Sequence, residues 1–285
     1  MQCNFCLNEC EQLINSHIVP KFIYKWIKKT STTGRLRDAQ KIDRPVQDGL
    51  KVDFLCEDCE VDFSTVEKFF SENIFIPIAN KDGDFTGIDF SDERVKKFIV
   101  SVIWRVAKYT INNPEINGNW TADEIENFDA CADELKSSYY TDGKSRFSTY
   151  LVPTNSSFAQ RKVIDIEDYA YFERSVSMDF MIYDDCDGRA SVFIKLPFML
   201  IVCEFVSFQD DMWTGMDVNN GLVFDAEKCS VPAYVSAYMQ HDCRRHYQIT
   251  AQMSQSQQEK LKKMFASKAN ENQGTVKAIL KNRSL

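Results

Sequence analysis

Four cysteines stand in two pairs of identical spacing, Cys3 with Cys6 and Cys56 with Cys59, about fifty residues apart. Two residues between cysteines let one tight turn aim both sulfurs at a single point, and two such turns complete a tetrahedral thiolate site. The chemistry this predicts is structural zinc binding by Cys3, Cys6, Cys56 and Cys59, with no open coordination position. Cys10 lacks the pair spacing. The other cysteines, Cys131, Cys186, Cys203 and Cys229 among them, are scattered and read as small buried apolar groups. The start, MQCNFCLNEC, shows no basic region followed by an apolar run, so no signal peptide is expected. Ten cysteines without an export signal argue for metal ligation in a reducing, cytoplasmic compartment rather than a disulfide framework.

A second set of residues lies between the pairs. Lys21, Lys25, Lys28, Lys29, Arg35, Arg37, Lys41, Arg44 and Lys51 face only Asp38, Asp43 and Asp48, although the chain carries a net charge of -8. Phe22, Tyr24 and Trp26 are interleaved with the first half of this stretch. The overall acidity excludes a protein that coats nucleic acid non-specifically. The local excess predicts phosphate contacts to DNA or RNA through Lys25, Lys28, Lys29, Arg35 and Arg37, placed on an inserted hairpin. A further cluster, HDCRRH, holds His241, Cys243 and His246 around Arg244 and Arg245. With no partner pair nearby, these read as turn histidines beside arginines rather than a second metal site.

The order CNFC, NSHIVP, FLCEDCE resembles the HNH (ββα-metal) endonucleases that carry a four-cysteine zinc knuckle. It is also similar to uncharacterised bacterial proteins with a CxxC, SHIIP, LCxxCE pattern. The resemblance covers residues 1–70. It implies a treble clef, in which a knuckle, a β-hairpin and a helix carry the two cysteine pairs. By position, His17 would be the general base for water attack on a phosphodiester. Glu60 would be an oxygen ligand for catalytic Mg²⁺ or Mn²⁺. The chain departs from the nuclease pattern at Ser16, before the histidine, and at Glu60, after the second pair. It also has no asparagine just before Leu55-Cys56. Two functions therefore stand side by side. One is a divalent-metal nuclease in bacterial defence or a mobile element. The other is a non-catalytic, degenerate zinc-knuckle module that binds a protein or nucleic-acid partner.

The elements that must position these residues are legible from periodicity. The fold class expected is α+β: a zinc-binding HNH-like unit over 1–75, a helical segment over 76–145, and a mixed strand and helix region over 146–285. The second cysteine pair heads a helix with Val61, Phe63, Val66, Phe69 and Phe70 on one face, or that helix begins later, at a Ser64/Glu67 capping box. Ser91 or Asp92 caps a helix whose face is Val95, Phe98, Ile99, Val102, Ile103 and Val106. On it, Trp104 reads as a core anchor and Arg105 as a surface charge. Thr121 and Glu124 form a capping box for a third helix. Val176, Met178, Phe180 and Ile182 alternate as a half-buried strand, and 190–208 supplies one or two more. Asp187-Gly188 and Asn220-Gly221 are turn signals, and Ser256 with Glu259 caps a last helix. The most apolar run, 191–208, is broken by Lys195, Pro197 and Glu204, so no membrane span is expected.

Overall fold

The computed structural model describes residues 1–141, 145–155, 169–183, 189–207, 212–219 and 229–267, with Gly274 and Lys277. The turn at Asp187-Gly188, the hairpin signal at Asn220-Gly221 and Cys186 lie outside the described residues. The architecture is α+β, with the four-cysteine cluster at its N-terminal end.

Strand β1, Ile14–His17, pairs antiparallel with β4, Lys51–Leu55, and helix α2, Glu57–Phe70, follows at once. Helix α2 begins at the cysteine pair and not at Ser64, whose hydroxyl donates to the Val61 carbonyl inside the helix. The segment between the strands is not a plain hairpin. Lys21–Thr30 is an α-helix, α1, opened by Pro20 in an extended conformation. Only Leu36–Arg37 (β2) and Pro45–Val46 (β3) pair as a short ribbon beyond it. The interleaved aromatics explain the helix: Phe22 and Trp26 stand four apart and both meet Phe75, at 5.4 Å each.

Ile76–Asn80 forms α3 and Glu93–Ile111 forms α4. The cap of α4 is Asp92, whose carboxylate accepts from the Arg94 amide at 2.9 Å. All six residues of its expected apolar face are buried, and Phe98 stacks on Phe70 of α2 with centroids 3.8 Å apart. Trp104 is the predicted anchor, edge-on to Phe5 at 4.8 Å. After the one-turn helix α5, Pro114–Asn117, the Thr121/Glu124 box opens α6, Ala122–Thr141.

The remaining strands are β5, Ser148–Pro153; β6, Ser177–Tyr183; β7, Arg189–Leu196; and β8, Met199–Val206. Between β5 and β6, Tyr169–Arg174 forms α7. The four strands make one antiparallel sheet in the order β5-β8-β7-β6. Period-two alternation sends Val192, Ile194 and Leu196 into the cluster shared with α4, and Phe193 into the opposite cluster. Helix α8, Ala233–Ala251, covers that second face, and Phe193 stacks on its Tyr238 at 3.9 Å. A sheet covered on both faces explains the near-continuous apolar run of 190–208, which forms two strands. Pro197 marks their break, in a two-residue turn where Phe198 takes φ 69°. Helix α9 spans Gln255–Ser267, and its first amides, those of Gln257 and Gln258, bond the Ser254 carbonyl, which puts its cap two residues before the expected one. No described helix is long and apolar enough to cross a membrane.

Candidate metal centre and basic surface

The two cysteine pairs converge because the first turn is bolted to the end of β4. Asn4 donates to the Phe54 carbonyl from both its amide, at 3.1 Å, and its side chain, at 2.9 Å. Leu7 takes φ 65° as the knuckle closes on the Cys3 carbonyl. Cys56 is the N-cap residue of α2 and Cys59 lies in its first turn. The four Sγ atoms lie within 4.8 Å of one another, and Cys6 Sγ is 3.7 Å from Cys56 Sγ. Sulfurs about 2.3 Å from a tetrahedral ion stand about 3.8 Å apart, so this spacing fits a metal ion, and structural zinc is compatible with it. Cys10 is not part of the group; its thiol faces the Met1 carbonyl.

Burial raises the Cys3 thiol, but amide hydrogens from Cys56, Cys6 and Phe5 outweigh it and bring its pKa to about 7. Burial and the neighbouring sulfurs push Cys59 up instead. Four thiols held this closely resist joint ionisation unless a cation sits among them. Among the described residues, the four cysteines are the one group of three or more side chains able to share a metal ion.

His17 ends β1 and is buried. Its Nε2 lies 3.0 Å from Asp48 Oδ1. Burial raises the Asp48 carboxyl, but hydrogen bonds from His17, Lys51 and the Gly49 amide outweigh this and hold it well below the usual carboxylate range. An ionised carboxylate only accepts, so Nε2 donates the hydrogen bond to Asp48. The preceding residue, Ser16, points to the other face of the strand. Its hydroxyl donates to Glu60 Oε2 at 2.6 Å. The hairpin thus places the side chains of His17 and Glu60 against different partners on opposite faces.

Arg105 holds this corner from below. Contrary to the expected surface charge, it is buried, paired with Glu67 of α2 at 2.7 Å, and its Nη1 donates to the His17 carbonyl at 3.0 Å. Its place on α4 carried a signal: it stands three residues after Val102 and seven after Phe98, on the apolar face. Asp48 had no such signal, because only the fold of residues 31–50 brings it beside His17.

The basic residues divide in two. Lys21, Lys25 and Lys29 repeat every fourth residue of α1 and are exposed as one row, on a helix without an acid. Arg35 is exposed on the turn beyond. Lys28 instead donates to the Gln47 carbonyl at 2.7 Å. Arg37 donates to the Ile42 carbonyl at 2.6 Å and to Gln257 of α9 at 3.4 Å. HDCRRH is not a turn but part of α8. Arg245 there grips Asp179 of β6 at 2.9 and 3.0 Å and Asp242 at 2.6 Å, clamping helix to sheet.

Compared with known proteins, the chain matches no family model, no curated protein and no solved structure.

Proposed function

We propose that the chain is a zinc-organised, HNH-like protein that binds nucleic acid through α1. The observation that carries this is the exposed row Lys21, Lys25, Lys29, acid-free and mounted one strand away from the cysteine cluster. The sequence of knuckle, antiparallel pair β1–β4 and helix α2 supports the HNH-like part of the reading. Glu60, the oxygen ligand that the nuclease pattern would use, is already bonded within the protein, to Ser16. That favours the non-catalytic form, in which His17 locks the corner. Each phosphate neutralised by a lysine releases condensed counterions, so binding falls with salt. Titration of labelled DNA and RNA at several salt concentrations tests this. Joint replacement of Lys21, Lys25 and Lys29 by Glu is expected to weaken binding and to flatten the salt slope by about 3 on duplex DNA. Unchanged affinity and slope contradict the proposal.

The His17–Asp48 pair also favours a second reading, a Mg²⁺- or Mn²⁺-dependent nuclease. A carboxylate on Nε2 orients the ring, as a general base requires. On that reading wild type cuts DNA with Mn²⁺, and His17→Ala abolishes cutting with metal content unchanged. On the first reading wild type does not cut, and His17→Ala lowers the melting temperature.

A further inference from the structure

Residues 31–50 form one wall of a cleft whose other wall is α8, α9 and the end of α7. It encloses about 590 Å³, within the roughly 300–1,000 Å³ of small-molecule sites. Leu36, Val176, Met253 and Phe265 give it apolar walls. Arg35, Arg37 and Arg174 are among its lining residues.

Arg174 is the informative one. It is half-buried, lies 4.6 Å over the Trp26 ring, and among the described residues its one hydrogen-bond partner is the Thr30 hydroxyl. Burial lowers its pKa to about 10 against the opposing charge of Glu173. A guanidinium has five N–H donors, so most of its donors have no acceptor among the described residues. His246 Nε2, also on the lining, makes no hydrogen bond among the described residues and lies 3.6 Å from Asp242 Oδ1. The acids on the lining do not balance this. Asp48 is already bonded to His17, Lys51 and the Gly49 amide, and the other acid on the lining, Asp38, has an interaction of its own.

We propose that this cleft binds a small amphipathic anion, a carboxylate or phosphate head on a hydrocarbon body, with the head on Arg174 and the body between Val176, Met253 and Phe265. Charge complementarity selects the head and the apolar walls select the body. The site is separate from the nucleic-acid surface, since none of Lys21, Lys25 and Lys29 lines it.

Isothermal titration of the full chain with dodecanoate and with dodecyl phosphate, each below its aggregation concentration, tests the inference and distinguishes the two heads. The expected result is a single saturable site with Kd on the order of 10 µM for at least one of them. Arg174→Met is expected to weaken binding about tenfold or more. Leu261→Trp, on the α9 wall, is expected to remove it by filling the space. Circular dichroism of both variants establishes that they fold, and Leu261→Trp alone tests the location if Arg174→Met does not. Failure of both probes to bind wild type overturns the inference. So does an unchanged Kd in either folded variant.

Discussion

The β1–β4–α2 unit and the four-stranded sheet share one apolar cluster but differ in their further ties. Phe5, Phe54, Phe63 and Phe70 of the first and Val192, Ile194 and Leu196 of the second belong to that cluster. The first is pinned at a few points by polar and sulfur groups: the four cysteines, His17 with Asp48, Ser16 with Glu60, and Arg105 with Glu67. The sheet is clamped between two apolar clusters along its whole length. A few specific ties concentrate stability in single residues, whereas apolar burial spreads it over many. The ties also fix a surface in place, so the exposed lysines of α1 sit on the region with the more specific joints.

That contrast predicts unequal responses to mutation. The largest belongs to Cys56→Ser. Binding of metal by small four-ligand units is coupled to folding and is worth on the order of 10 kcal/mol. Losing one thiolate is expected to release the metal and open residues 1–70, while near-ultraviolet circular dichroism retains the signal of the sheet aromatics. Global unfolding with full metal retention would break the comparison.

Next in size is Arg105→Ala. It leaves Glu67 in the interface without its cation and the His17 carbonyl without its donor. Removing one partner of a buried pair costs about 3–5 kcal/mol. Denaturant unfolding is expected to report a loss in that range, against well under 1 kcal/mol for an ordinary surface arginine.

A third test sharpens the comparison from the side of the sheet. Lys195 of β7 is fully buried, donates to the Leu196 carbonyl at 2.6 Å, and burial lowers its pKa to about 7 despite the charges of Asp242 and Glu173. The unfolded lysine titrates near 10.5. Between these values the unfolded chain binds more protons, so stability rises with pH from about 7 to about 10.5, and the penalty is complete below 7. Lys195→Met is expected to remove that rise. Melting temperatures of both proteins from pH 7 to about 9.5 check it, and parallel curves contradict the assignment.

Much of the fold was legible because period alone determined it. The α4 face, the Thr121/Glu124 box and the alternation around Phe180 all appear where the spacing put them. The cysteine cluster was legible because two identical spacings need only one meeting point. What escaped were the consequences of chain reversal. Residues 21–30 carried lysines that suggested a solvated hairpin, yet Phe22 and Trp26 find Phe75 only if the segment is helical. Arg105 was buried by Glu67 and by the His17 carbonyl, neither of them near it in sequence. Asp48 and the arginine-lined cleft depend on how residues 31–50 lie against α8 and α9, which no local pattern encodes.

The central claim is that a metal on Cys3, Cys6, Cys56 and Cys59 organises the first unit and that the sheet stands without it. Hydrogen exchange of the zinc-loaded chain, read by mass spectrometry before and after zinc removal with a chelator, tests this directly. The account predicts zinc bound in equimolar amount, with protection lost across β1, β4 and the first turns of α2 on its removal, and retained in β7 and β8. Protein purified without chelator and free of zinc, or protection in β1 and β4 unchanged by the chelator, would contradict it.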